Sequence, residues 1–141
     1  MPVLTATLAA LVVVAATVAA STAPRRYRAD LLAANEVPAA HRAPQNAGGR
    51  FIGKLTGRNL AWTLRLHTLS GTATSAALQL GAAGETGAVV ATLCAPCTTT
   101  VTGKTTLTHP QIVALNAKKL YVNVATARNP GGEVRGQAYR R

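Results

Sequence analysis

Hydrophobic and polar residues alternate along much of this chain, and a period of two is typical of half-buried β-strands. The alternation is clearest at residues 60–67, where the apolar face carries Leu60, Trp62, Leu64 and Leu66 and the polar face carries Thr63, Arg65 and His67. Trp62 has the largest side chain in this row and buries the most area if the row faces inward. The pattern predicts that this strand forms the centre of the core.

The same pattern predicts a series of short strands separated by turn signals. They fall at residues 27–31, 50–55, 60–67, 74–80, 89–93, 99–108, 120–126 and 133–137. A capping sequence at Thr108 and Gln111 predicts one helix of one or two turns before the strand at Leu120. We therefore expect an all-β fold: an antiparallel, Greek-key-like β-sandwich of about eight strands, with one short helix before the penultimate strand.

The residues between the last two predicted strands are typical of a tight turn and predict a hairpin. Asn129-Pro130-Gly131-Gly132 joins them, and proline and glycine supply the dihedral angles that a tight turn needs. Glu133 and Arg135 follow two residues apart, so both side chains are expected on one face of the sheet.

Together with Asn35-Glu36-Val37-Pro38, the segments YVNV at residue 121 and GGEVRGQ at residue 131 resemble the chordin-type (CHRD) domain family. The resemblance implies a β domain in an extracellular setting; in chordin, such domains belong to a protein that binds growth factors. Glu36, Glu133 and Arg135 are the polar residues shared with the family. We expect a structural ion pair in which Arg135 bridges one or both glutamates and ties the first loop to the last hairpin. A paired-carboxylate enzyme would instead need both glutamates in one cleft.

The family pattern also contains three histidines that would suit a metal ion, and this chain lacks them. The matching positions hold Ala77, Gln79 and Ala125, and alanine cannot ligate a metal. His41, His67 and His109 are far from other ligand residues in the sequence and are interpreted as surface residues. We expect no metal, no cofactor and no catalytic residue.

Cys94 and Cys97 form a C-x-x-C sequence that admits three interpretations. A redox site needs Cys94 at a helix start, and the threonines after Cys97 favour a strand instead. A zinc site needs a second ligand pair. A disulfide between Cys94 and Cys97 is the interpretation that suits an exported chain.

The first residues and the overall charge bear on location and partners. The chain has 141 residues, enough for one domain. Residues 1–20, or up to 23, are predicted to be a signal peptide, and residues 24–141 the CHRD-like β-sandwich domain. An uncleaved anchor is the alternative; after cleavage no transmembrane span is expected. The net charge of +11 indicates an affinity for polyanions.

These features lead to one functional hypothesis and two alternatives. The hypothesis is a secreted or cell-envelope, non-catalytic module whose partner is an anionic cell-envelope polymer or another extracellular protein. The basic residues are spread along the sequence without interleaved aromatic residues, which argues against nucleic acid. The alternatives are a metal-binding, superoxide-dismutase-like protein, which rests on fold analogy, and a thiol–disulfide active protein.

Overall fold

The computed structural model describes residues 2–3, 12–16 and 23–141. Most of the predicted signal peptide and its cleavage site after Ala20 lie outside the described residues. The strands are β1 (Arg25–Leu32), β2 (Gly48–Thr56), β3 (Asn59–His67), β4 (Ala73–Leu80), β5 (Val89–Cys94), β6 (Thr100–Thr106), β7 (Leu120–Thr126), β8 (Val134–Gln137) and β9 (Tyr139–Arg140). A 3-10 turn, Ala33–Asn35, follows β1, and helix α1 (His109–Asn116) precedes β7.

All these strands belong to one antiparallel sheet that curls into a nearly barrel-shaped structure. The strand order is β5-β4-β7-β8-β1-β2-β3-β6, and the short β9 pairs with β1. The all-β prediction and the short helix are thus confirmed. The two-layer sandwich and the Greek-key connections stay predictions.

The inward face of the sheet is apolar, as the alternation predicts. Leu60, Trp62, Leu64 and Leu66 are all buried, and the Phe51 and Trp62 rings lie 6.3 Å apart. Gly103 on β6 leaves room for the indole, since a Cβ atom there would lie 2.4 Å from the Trp62 ring. Helix α1 closes part of the core with Ile112 and Leu115.

Helix α1 begins where its capping sequence predicts. The Thr108 side chain accepts a hydrogen bond from the Gln111 backbone, and the Gln111 side chain accepts one from the Thr108 backbone. This reciprocal pair satisfies amide groups that the first turn leaves free. Within the described residues, no helix combines the length and the apolar character that a membrane crossing requires.

The outward face of the sheet has two different halves. Over β7 and β8 it is covered by residues 33–47 and 81–88, so that Tyr121, Ala125 and Arg135 are buried although they point away from the core. Over β1, β2, β3 and β6 it is open. The polar and charged side chains considered below lie on the covered half and on the open half.

Candidate functional site

Glu133 lies just before β8 at the edge of the covered half, and it is fully buried. Its carboxylate accepts hydrogen bonds from the Ser70 backbone amide at 2.8 Å, the Asn129 side-chain amide at 2.9 Å and the Thr126 hydroxyl at 3.1 Å. The Ser70 hydroxyl also donates to it. The carboxylate thus joins the β3–β4 connection to the turn between β7 and β8.

These hydrogen bonds control the ionisation of Glu133. Burial raises the pKa of this carboxyl group, but the donors from Ser70, Asn129 and Thr126 together outweigh burial and hold its pKa below the ordinary value. The group is therefore ionised in the folded protein at neutral pH. A carboxylate whose oxygens already accept several protein donors is a structural anchor.

Asn129 extends this anchor to the loop after β1. Its amide donates to the His41 carbonyl at 3.1 Å, and its carbonyl accepts from the His41 backbone amide at 2.5 Å. The first loop is thus tied to the last hairpin by Asn129, whereas Arg135 is the residue that the sequence predicts for this contact. Because asparagine is common in turns, the sequence carries no signal for this contact.

Arg135 lies beneath the loop that follows β4. Its guanidinium stacks on the Tyr121 ring at 3.5 Å from the centroid and donates to the Ala82 carbonyl at 3.0 Å. The side chain is 2% exposed, so the stack is largely desolvated, which strengthens a cation–π contact. Gln137 holds the same loop by donating to the Gly81 carbonyl at 2.7 Å.

Replacing Arg135 by alanine is expected to lower the free energy of unfolding by about 1–3 kcal/mol, because both the stack on Tyr121 and the bond to Ala82 are lost. Arg135→Lys keeps the charge but not the planar group, and should recover less than half of this loss. Urea denaturation of the three proteins measures the effect. An unchanged free energy of unfolding in Arg135→Ala would contradict the assignment.

Glu36 lies beside Gly132 and has a very different environment from Glu133. Its side chain is buried, and Oε1 has no hydrogen-bond partner among the described residues. Burial raises the pKa of Glu36 to about 7; the positive charge of Arg135 lowers it and the negative charge of Glu133 raises it. Glu36 therefore binds a proton far more readily than an exposed glutamate does.

Asn123 supplies a second buried oxygen next to Glu36. A Cβ atom on Gly132 would lie 2.3 Å from Oδ1 of Asn123 and 2.5 Å from Oε2 of Glu36, so both side chains converge on this glycine. Oδ1 of Asn123 has no donor in the described structure, and its amide is held by the Gly131 carbonyl at 2.9 Å. A proton on Glu36 would supply the donor that this oxygen lacks.

The trio predicted to form an ion pair is therefore arranged differently from the expected bridge. The ion pairs within 4.0 Å in residues 23–141 both involve Asp30, with Arg28 and Arg50. Arg135 influences Glu36 through its charge and binds Tyr121 and Ala82 directly, while the ionised Glu133 carboxylate is held by hydrogen bonds from neutral donors. The three residues are thus those that the sequence singles out, but their partners differ from the predicted ones.

Cys94 and Cys97 are joined by a disulfide, with an S–S distance of 2.06 Å. Cys94 ends β5, and Cys97 pairs with Ala73 at the start of β4. The redox interpretation required Cys94 at the start of a helix, and the structure places it at the end of a strand. The bond closes the turn beside β4.

The positions that match the family histidines do share one face. Gln79 pairs with Tyr121 and Ala77 with Asn123 across β4 and β7, and Ala125 follows Asn123 on the same side. Their side chains are an amide and two methyl groups. In residues 23–141, no group of three or more His, Cys, Asp or Glu side chains has the geometry to hold a metal ion.

The open half of the sheet carries a cluster of positive charge that was not predicted from the sequence. We call it the basic face; it consists of Arg26, Arg28, Arg50, Lys54, Arg65 and Lys104, which project outward from four neighbouring strands. These residues are far apart in the sequence and meet because the strands pair in register. Their positions on the polar side of each alternating strand were the signal that could have found them.

Asp30 is the acidic residue that the described structure places on this face, and its carboxylate accepts hydrogen bonds from neighbouring side chains. Arg28 binds its carboxylate with two nitrogens, at 2.7 and 2.8 Å, and Tyr139 donates to it at 3.2 Å. The hydrogen bond from Arg28 holds the pKa of Asp30 below its ordinary value. One negative charge against six positive ones leaves the face strongly positive.

Comparison with known proteins identifies a family for this fold. The family model described as the CHRD domain matches residues 27–138, nearly all of the described domain. No curated protein and no solved structure matches the chain.

Proposed function

The chain belongs to the CHRD domain family, and we propose that it is an exported, non-catalytic module that is retained outside the cell on anionic polymers. The basic face is the observation that carries the proposal. It concentrates six of the fifteen basic residues on one side of the sheet, and such a concentration attracts polyanions.

Two further features support export. Residues 1–23 contain no charged side chain and are rich in alanine and valine, as expected for a signal peptide. The disulfide between Cys94 and Cys97 is typical of an oxidising compartment. The non-catalytic role is supported by the polar residues of the covered half, because Glu133, Asn129 and Arg135 are engaged in contacts that hold loops to the sheet.

Repulsion between the positive charges of the basic face lowers the stability of the free protein. This repulsion favours an anionic partner. Arg26 lies directly opposite Lys54, and Arg50 lies directly opposite Arg65. Like charges at directly opposed positions on neighbouring strands destabilise a sheet. A bound polyanion would relieve this repulsion and raise the stability of the protein.

We expect the purified protein to bind a cell-envelope fraction at low ionic strength and to be released at about 0.5 M salt, where screening acts over a few Å. Arg50→Gln/Arg65→Gln should weaken retention at 0.1 M salt by at least about tenfold. Lys119→Gln/Arg128→Gln is the matched control, because it removes the same charge from exposed residues outside the basic face. Equal losses in both double variants would show that net charge, and not this face, governs retention.

A further inference from the structure

The middle of the basic face is a depression between two lysines. Lys54, Ala61 and Lys104 form one row across β2, β3 and β6. The two lysines are separated by two strand spacings, about 10 Å, and the small Ala61 side chain between them leaves a depression of about 370 Å³. Its lining includes the outward side chains of Ile52, Lys54, Ala61, Thr63, Thr102 and Lys104.

This lining combines three kinds of chemistry. Ile52 is 38% exposed and, with Ala61, provides an apolar floor. Thr63 and Thr102 lie opposite each other on β3 and β6 and offer hydroxyl groups. Lys54 and Lys104 place ammonium groups on flexible stems at the two edges, where they can reach charges on a bound molecule.

We propose that this depression binds a ring of an acidic polysaccharide, with the sugar's C–H face on Ile52 and Ala61 and its carboxylate or sulfate groups on Lys54 and Lys104. The inference rests on the proposed function and names the class of polymer. A sugar ring presents an apolar face, hydroxyl groups at its edge and, in acidic glycans, anionic substituents. A polyphosphate chain has only the charge and gains nothing from the apolar floor.

The first part of the test uses the full chain with its disulfide intact and two defined probes. Dextran sulfate represents the acidic polysaccharide and inorganic polyphosphate represents a polyanion without rings; neutral dextran is the blank. Binding is measured by titration calorimetry between 50 and 200 mM salt. We expect Lys54→Gln/Lys104→Gln to weaken dextran sulfate binding by at least about tenfold and to reduce the slope of log K against log salt by about 1–2. Lys119→Gln/Arg128→Gln should change both quantities much less.

The second part fills the depression without changing the charge. Ala61→Leu places a larger side chain between the two lysines and is expected to weaken dextran sulfate binding by about fivefold or more while leaving polyphosphate binding unchanged. Thr102→Leu is a second filling variant, used if Ala61→Leu fails to fold, and circular dichroism checks the fold of each. If both probes lose affinity equally, or neither does, the ring site is wrong and the basic face can still retain polyanions. If wild-type protein binds neither probe, the proposed function fails as well.

Discussion

Replacing Glu133 by alanine is expected to lower the free energy of unfolding by about 3–5 kcal/mol, a large part of the stability of a domain of this size. The change removes an acceptor from four donors: the backbone amide and hydroxyl of Ser70, the Thr126 hydroxyl and the Asn129 amide. Donors left buried without an acceptor carry their desolvation cost into the folded state. Equilibrium urea denaturation at pH 7 measures the loss.

The matched control is Glu85→Ala, which removes a carboxylate from an exposed loop. Glu85 accepts one exposed hydrogen bond, from the Ala82 amide at 3.2 Å, so its loss should change stability by no more than about 0.5 kcal/mol. Ser70→Ala should fall between the two, at about 1 kcal/mol, because the backbone amide of Ser70 still binds Glu133. A loss below about 1 kcal/mol in Glu133→Ala would show that the carboxylate is not an anchor.

The pH dependence gives this assignment a second, independent check. The folded pKa of Glu133 lies below its unfolded value, so the carboxylate stabilises the protein above the unfolded pKa. That contribution disappears as pH falls through the folded pKa. Acid should therefore destabilise the wild-type protein more steeply than Glu133→Ala, which has already lost the anchor.

The local sequence pattern predicted the strands because each strand has one buried side. The alternation at residues 60–67 gave the inward row of β3, and the Asn-Pro-Gly-Gly turn placed β7 and β8 correctly. Alternation reports which side chains are buried and not whether the buried sides belong to one curled sheet or two layers. The two-residue strand β9 was missed because so short a segment has no period.

In the candidate site, the sequence predicts only the relative positions of residues that are close to one another along the chain. Glu133 and Arg135 were expected on one side of the hairpin, and their spacing was sufficient for that. Besides its near neighbours Thr126 and Asn129, Glu133 binds the distant Ser70, and Arg135 binds Tyr121 and Ala82. These contacts depend on strand register and loop paths over long sequence separations, as does the meeting of the basic residues on the open half. No short-range pattern encodes them.

Glu36 should make the stability of this protein fall as the pH rises from about 5 to 8, opposite in sign to Glu133. Its folded pKa is raised from 4.5 to about 7, so the folded state binds more protons than the unfolded state between these two values. The stabilising contribution is fully present below the unfolded pKa and is lost as pH rises through the folded pKa. The loss at pH 8 is on the order of 3 kcal/mol.

Glu36→Gln tests this expectation, because glutamine has nearly the same shape and does not titrate. Its amide can donate to Oδ1 of Asn123, the buried oxygen that lacks a donor. The variant should be more stable than wild type at pH 8, with a difference that shrinks toward pH 5. Every other titrating group is shared by the two proteins, so the difference between their urea unfolding curves at each pH isolates Glu36. Parallel pH profiles would mean that Glu36 titrates alike in the folded and unfolded chains, and that burial beside Gly132 does not hold a proton on it.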